Sequence, residues 1–125
     1  MAFREVYRET VFVLSAYVTL TDAEDPDVIP NDWDEHDGLY ASDPGGISIG
    51  AAPDSDVEIV VVTGDGVPDG ELLAATSIDV GGEGLWVGTG QGQGEKIPWQ
   101  RGQFNLAVYC EGERHSPQRV TFVLT

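Results

Sequence analysis

The sequence predicts an all-β protein, an antiparallel β-sandwich of about seven to eight strands, and three observations carry this prediction. Runs of β-branched and aromatic residues of strand length recur along the chain, as in DVEIVVVTG (56–64). Turn-forming clusters such as PDSD (53–56) and GDGVPDG (64–70) bound these runs, and 16 glycines punctuate the rest. No window sustains the apolar spacing of 3.6 residues that an amphipathic helix needs. Short strands separated by Gly and Pro turns are typical of an antiparallel sandwich.

The strands follow in chain order from their residue types. Residues 3–20 are expected to form the first, because FREVYRE runs into ETVFVLSAYVTL without a turn signal. The next begins after a Pro-Gly-Gly turn, at GGISIGAA (45–52). The remaining predicted strands are DVEIVVVTG (56–64), ELLAATSIDV (71–80), EGLWVGTG (83–90), QFNLAVYCE (103–111) and QRVTFVLT (118–125).

A long acidic connection separates the first predicted strand from the second. The 125 residues are expected to form a single β-sandwich domain, 1–125, with an acidic loop at about 22–46. Its core, DAEDPDVIPNDWDEHDG (22–38), holds eight carboxylates and no lysine or arginine. Crowding of like charges is expected to raise some of their pKa values. Long loops without periodicity are commonly functional, and we expect this one to be ordered from about Asn31 onward, where Trp33 can pack.

The charge balance restricts the class of partner. Six basic and 22 acidic residues give a formal net charge of −16, and no basic residue lies between Arg8 and Lys96. Such a chain repels nucleic acid and anionic membranes and attracts a basic protein or a cation. We predict a basic protein partner, no direct nucleic-acid binding and no membrane insertion, since apolar runs such as 59–62 are far shorter than a membrane span. Acidity that serves only solubility or adaptation to salt remains an alternative.

The compartment is inferred from two features of the sequence. The N-terminus shows no basic segment followed by an apolar stretch, so no signal peptide is visible. The single cysteine, Cys110, cannot form an internal disulfide. Both features favour a cytoplasmic protein.

A calcium site is the first chemical alternative for the acidic stretch. Asp32, Asp34 and Asp37 have the close spacing of a calcium loop. An EF-hand that began at Asp32 would need an oxygen ligand at its fifth position and glycine at its sixth, where His36 and Asp37 stand. The flanking helices are also missing from the prediction. Weak cation binding on charge alone stays possible, but we predict no dedicated metal site.

Other catalytic or cofactor chemistry finds little support. The spacing from Cys110 to His115 does not match a zinc pair, and Cys110 ends a predicted strand as a small core or edge residue. GTGQGQGEK (88–96) resembles a phosphate cradle, but no Ser or Thr follows Lys96 and no helix is predicted after it. We interpret it as a hairpin connection. The sequence therefore predicts a protein without catalytic residues or cofactors that is not an enzyme.

Two segments carry a resemblance to a known family. DWDEHDGLYASDPGGISIGA (32–51) resembles the competence protein J family, small bacterial inhibitors of a DNA-degrading nuclease. That family has Asp-Trp followed by acids, then Gly-Tyr-Ala, a short turn and a strand that begins with Gly, a hydrophobic residue and Ser. The residues that fill this pattern here are Asp32, Trp33, Asp34, Glu35, Gly38, Tyr40, Ala41, Gly45, Ile47 and Ser48. RGQFNLAVYC (101–110) is similar to the family's Lys-Gly-aromatic-x-Leu strand, and RVTFVLT (119–125) would be its closing strand.

The resemblance implies a function that agrees with the charge. We predict an acidic, immunity-type protein inhibitor that binds a basic bacterial DNA nuclease and blocks its substrate groove. The expected partner-binding residues are Asp32, Trp33, Asp34, Glu35, Asp37 and Tyr40. Trp33 has two interpretations, an interface anchor or a core residue that pins the loop. The alternative function is a calcium- or carbohydrate-associated β-sandwich binding module without an enzyme target.

Overall fold

Two five-stranded sheets pack face to face in the computed structural model, which describes residues 3–13, 17–24, 30, 32–52, 54–89, 94–113 and 116–125. In sheet order, sheet A contains β1 (Phe3–Val13), β5 (Ser55–Gly64), β10 (Ser116–Leu124), β9 (Gly102–Glu113) and β6 (Glu71–Val80). Sheet B contains β3 (Tyr40–Asp43), β4 (Gly46–Gly50), β2 (Tyr17–Asp22), β7 (Leu85–Thr89) and β8 (Gly94–Ile97). All neighbouring strands pair antiparallel except β5 and β10, which pair parallel.

The predicted all-β sandwich is confirmed, but the described chain has ten strands rather than seven to eight. The single first strand predicted over 3–20 is wrong, because β1 lies in sheet A and β2 in sheet B. The residue types on both sides of residues 14–16, which lie outside the described part, favour a strand equally, so only tertiary pairing separates the two. The other additional strands, β3 and β8, have four residues each.

The core lies between the two sheets and follows the two-residue alternation of strands. In β5, Val57, Ile59 and Val61 point inward, and in β10 Phe122 occupies the centre of the same cluster. Leu20 of β2 faces them from sheet B. Burying a side chain of this size stabilises the fold by about 1.5–3 kcal/mol. Within the described ranges, no helix is long and apolar enough to cross a membrane.

The strand directions define two ends of the sandwich. The upper end is where β2 begins at Tyr17 and β4 ends at Gly50, which pair with each other. The lower end is where β2 ends at Asp22 and β4 begins at Gly46. At about 3.3 Å per residue, the five steps from Tyr17 to Asp22 separate the two ends by roughly 17 Å. Residues close in sequence can therefore lie far apart on the surface.

Candidate partner-binding site

The site is built on residues 32–38, which we call the acidic turn. Trp33–His36 form a single turn of 3-10 helix, and Asp37 (φ 56°) and Gly38 (φ 73°) follow in the left-handed region. The Trp33 carbonyl accepts the N–H groups of both Asp37 and Gly38, the second at 2.9 Å. Asp tolerates the left-handed region better than most residues and Gly adopts it freely, so this pair ends the helix and turns the chain into β3.

Asp32 fastens the acidic turn to the edge of sheet B. Its Oδ1 accepts the backbone N–H of Ser42 in β3 at 2.6 Å, and its Oδ2 lies 2.9 Å from His36 Nε2. Because β3 is an edge strand, the Asp32 carboxylate satisfies an N–H group that has no strand partner. The His36 ring stacks on Tyr40, with 4.0 Å between centroids and 17° between planes. Asp32 and Tyr40 thus hold the turn in place.

These contacts set the ionisation of Asp32. Burial opposes its charged form, but the hydrogen bonds from the Ser42 N–H and from His36 outweigh burial, so the pKa of Asp32 lies below its ordinary value of 3.8. The expectation that crowding raises pKa values is therefore wrong for this carboxyl. Because its pKa is lower in the folded state, Asp32 contributes stability above about pH 3.8, and this contribution disappears as pH falls through its folded pKa.

We expect Asp32→Asn to lower the free energy of unfolding by about 1 kcal/mol at pH 7, because a charge-assisted hydrogen bond is lost. The difference from the wild type should shrink as pH falls toward 2. Urea unfolding at a series of pH values measures this. Asp34→Asn is the matched control, since Asp34 is exposed. A difference for Asp32→Asn that does not change with pH would contradict the assignment.

Trp33 is half-buried against the upper end of the sandwich. Its ring lies 6.0 Å from that of Tyr17 between centroids, tilted by 56°. A β-carbon on Gly50 would come within 3.8 Å of Trp33 Cζ3 and 3.3 Å of the carbonyl oxygens of Gly38 and Leu39. The Gly50 N–H donates to the Leu39 carbonyl at 2.9 Å. One part of the indole therefore packs on the sandwich while another part stays accessible.

The predicted partner-binding residues divide into two groups. Asp34, Glu35 and Asp37 are exposed, and none of them forms an ion pair with any residue that the structure describes. The other three, Asp32, Trp33 and Tyr40, are partly buried. The acidic turn thus exposes three carboxylates to solvent, while the contacts of the three partly buried residues fix its backbone.

Two acids that the sequence interpretation did not include lie at the same end. Asp54 and Asp56 are exposed and flank the start of β5. The N–H of Asp54 donates to the Val13 carbonyl at 2.6 Å, which fixes this turn against the end of β1. The signal in the sequence is the PDSD cluster (53–56), which follows the GISIG strand (46–50) after two alanines. That strand ends beside the acidic turn, as the Gly50 contact shows.

The acids at the start of the predicted loop belong to the opposite end. Asp22 Oδ1 accepts the N–H of Gly81 at 3.2 Å, and Glu24 Oε1 accepts that of Gly82 at 3.1 Å. Both carboxylates therefore fix a turn at the lower end, roughly 17 Å from Tyr17 along β2. Among the described residues of the predicted acidic loop at about 22–46, the acids therefore lie at both ends of the sandwich, while residues 25–29 and 31 lie outside the described part.

Several cations are already paired within the described chain. Arg8 contacts Glu5 at 2.7 Å and Glu58 at 3.1 Å, while Arg119 contacts Glu58 and Glu111. The hydrogen bond from Arg119 and then that from Arg8 lower the pKa of Glu58, against the effect of burial. These arginines are therefore committed to carboxylates on the outer face of sheet A.

The described residues offer neither a group of metal ligands nor a reactive thiol. Within the described ranges no three His, Cys, Asp or Glu side chains are grouped so that they could hold a metal ion. Burial, with a smaller effect of Glu71, raises the pKa of the Cys110 thiol to about 12. This thiol is therefore protonated at neutral pH and is a poor nucleophile.

Comparison with known proteins places the fold. The sequence matches no protein-family model and no curated protein. The structure is similar to the crystal structure of ComJ, an inhibitor of the DNA-degrading activity of NucA from Bacillus subtilis, with a TM-score of 0.75, 10% identity and coverage of 99% of this chain and 98% of that one. It is also similar to the protein of crocagin biosynthetic gene J, with a TM-score of 0.62, 11% identity and coverage of 99% and 97%. The resemblance to the competence protein J family is confirmed at the level of the fold.

Proposed function

We propose that this protein is an inhibitor of a basic bacterial DNA nuclease and that the acidic turn occupies the enzyme's substrate groove. The observation that carries the proposal is the exposure of Asp34, Glu35 and Asp37 on a backbone fixed by Asp32. A fold shared with an inhibitor of a DNA-degrading activity supports it. In this proposal the chain acts as one cytoplasmic domain and contributes no catalytic group of its own.

The physical argument concerns what a nuclease groove recognises. An enzyme that cleaves DNA gathers the phosphate backbone with lysine and arginine side chains. Carboxylates held on a fixed turn can pair with the same cations, and little conformational entropy is lost because hydrogen bonds already fix the turn. Long-range attraction between the net charge of −16 and the groove accelerates encounter. The half-exposed Trp33 indole adds apolar contact next to these charges.

Charge on the turn should control the association rate. We expect Asp34→Asn with Glu35→Gln to slow association with the nuclease about tenfold at low salt and to flatten the salt dependence of that rate. The nuclease is first captured from a lysate of the source cells at low salt. Stopped-flow association and a plasmid-degradation assay then measure the effect.

The control matched in net charge is Asp79→Asn with Glu83→Gln, at exposed positions near the lower end, where Glu83 lies 3.4 Å from Lys96. This control should change association only slightly. Equal effects of the two double variants would mean that net charge alone acts and would remove the turn from the interface. Stabilisation by millimolar calcium, together with no inhibition of any captured nuclease, would support the binding-module alternative instead.

A further inference from the structure

A connecting segment crosses the outer face of sheet A, the face turned away from sheet B. β5 pairs parallel with β10, β10 pairs antiparallel with β9, and β9 pairs antiparallel with β6, so β5 and β6 run in the same direction. β5 ends at Gly64 at the lower end and β6 begins at Glu71 at the upper end. Residues 65–70, which we call the strap, must therefore return along the sheet. Since sheet B covers the inner face, the strap lies on the outer one.

The strap is close to fully extended. The strand register places Glu71 level with Ile59 through Cys110 and Val120, so the strap returns five residues along the sheet and crosses three strand spacings. These steps correspond to a diagonal of roughly 22 Å between Gly64 and Glu71. The seven Cα–Cα steps between these two residues reach at most about 25 Å when the chain is fully extended. Consistent with this geometry, the strap forms no hydrogen bond with any described residue.

An apolar surface lies under the strap. Val60, Val62 and Val123 are buried on the outer face, packed with Ala107 and Tyr109. These three valines are at most 6% exposed, whereas Val67 of the strap is 75% exposed and turns its side chain largely to solvent.

Clefts flank the strap on both sides, and they differ in the charged residues that line them. The cleft on the β1 side, of about 380 Å³, is lined by Arg8 and Arg119, the two arginines already paired with carboxylates. The cleft on the β9–β6 side, of about 600 Å³, we call the strap cleft. Its lining includes Ala75, Ala107, Val123, Tyr109 and Asp65 and contains no lysine or arginine.

We propose that the strap cleft binds an arginine side chain of the basic protein partner, so this inference rests on the proposed function. The guanidinium group of an arginine is attracted to the face of an aromatic ring, which Tyr109 supplies. Its aliphatic stem is matched by Ala75 and Ala107, two apolar lining residues that are not fully buried. The Asp65 carboxylate, which also lines the cleft, completes the site with a charge-assisted hydrogen bond. Arginine fits better than lysine because its planar cation stacks and binds a carboxylate through two N–H groups.

A hexa-arginine peptide, with hexalysine as the comparison, tests the cleft without any nuclease. We expect hexa-arginine to shift the NMR signals of Ala75, Ala107 and Tyr109, and hexalysine to shift them less at equal concentration. Ala75→Leu fills the cleft without changing charge and should weaken hexa-arginine binding at least tenfold. Asp65→Asn should weaken it as well, whereas Asp34→Asn on the acidic turn removes the same charge and should leave these shifts in place.

The outcomes separate this inference from the proposed function. If hexa-arginine shifts only signals of the acidic turn, or if Ala75→Leu and Asp65→Asn bind it as the wild type does, the strap cleft is not an arginine site. That result would leave nuclease inhibition, measured separately, unaffected. The inference is supported when both variants lose the peptide and also inhibit the captured nuclease more weakly. Wild-type inhibition by both would overturn it. The thermal unfolding midpoint of each variant checks that it is folded. If Ala75→Leu does not fold, the result for Asp65→Asn alone decides the test.

Discussion

Trp33→Ala should weaken binding to the proposed nuclease partner by roughly 30- to 1,000-fold, mainly through faster dissociation, because truncating an aromatic anchor costs about 2–4 kcal/mol. The indole is suited to this role because Tyr17 and Gly50 support one part of it while another part stays accessible. A rigid side chain of this kind loses little entropy when it is buried by a partner. Surface plasmon resonance with the captured nuclease measures both rates.

Packing and recognition by Trp33 must be distinguished. Trp33→Phe keeps an aromatic body and should lose less affinity than Trp33→Ala. Tyr17→Leu removes the aromatic neighbour of Trp33 and reports what a loosened turn does by itself. If Trp33→Ala remains folded and dissociates at the wild-type rate, the indole is outside the interface and charge alone explains binding. If Tyr17→Leu matches Trp33→Ala in dissociation, the tryptophan acts by holding the turn.

Phe122→Ala should lower the free energy of unfolding by about 3–5 kcal/mol, the usual cost of removing a fully buried phenylalanine ring. Phe122 is 0% exposed at the centre of the core, between the two sheets. Because β10 lies in the middle of sheet A, neighbouring strands cannot close the cavity without losing their own pairing. Chemical denaturation with guanidinium chloride gives the value.

The chain supplies a matched control for this substitution. Phe12→Ala removes the same atoms from a side chain that is 47% exposed in β1, at the edge of sheet A, and should cost about 1 kcal/mol or less. A similar loss for both variants would show that the phenylalanines contribute through strand propensity rather than through burial, and would place the core elsewhere.

The fold class could be predicted from the sequence because local signals mark most strands. PDSD and GDGVPDG bound β5 as they should, and the runs that became β6, β9 and β10 are long and rich in β-branched residues. β3 and β8 escaped prediction for a physical reason. Each has four residues, and only Ala41 in β3 and Ile97 in β8 are fully buried, so neither produces an apolar alternation. Their strand conformation depends on pairing with β4 and β7.

The acidic turn could be found from sequence, but its extent could not. Trp33 and its neighbouring acids stand out in the sequence because a run of acidic residues without basic neighbours, with one large aromatic residue in it, is unusual. Nothing in the run from Asp22 to Gly38 shows that its first acids bind Gly81 and Gly82 at the other end. That separation follows from the direction of β2, which only the sheet topology defines. The strap cleft likewise arises from the order of strands in sheet A and has no local signature.

The parallel pairing of β5 with β10 has a consequence for folding. β10 is the last strand of the described chain and fills the gap between β5 and β9, so sheet A cannot form until it arrives. Contacts between residues so distant in sequence form slowly.

Until β10 has paired with β5, the run Ile59–Val62 lies on an unpaired strand edge, which is prone to intermolecular strand pairing. Asp56 and Glu58 before it and Asp65 after it place charge where such pairing would begin, and mutual repulsion between chains of −16 keeps incompletely folded molecules apart. The negative charge that would attract a basic enzyme therefore also limits aggregation while sheet A assembles.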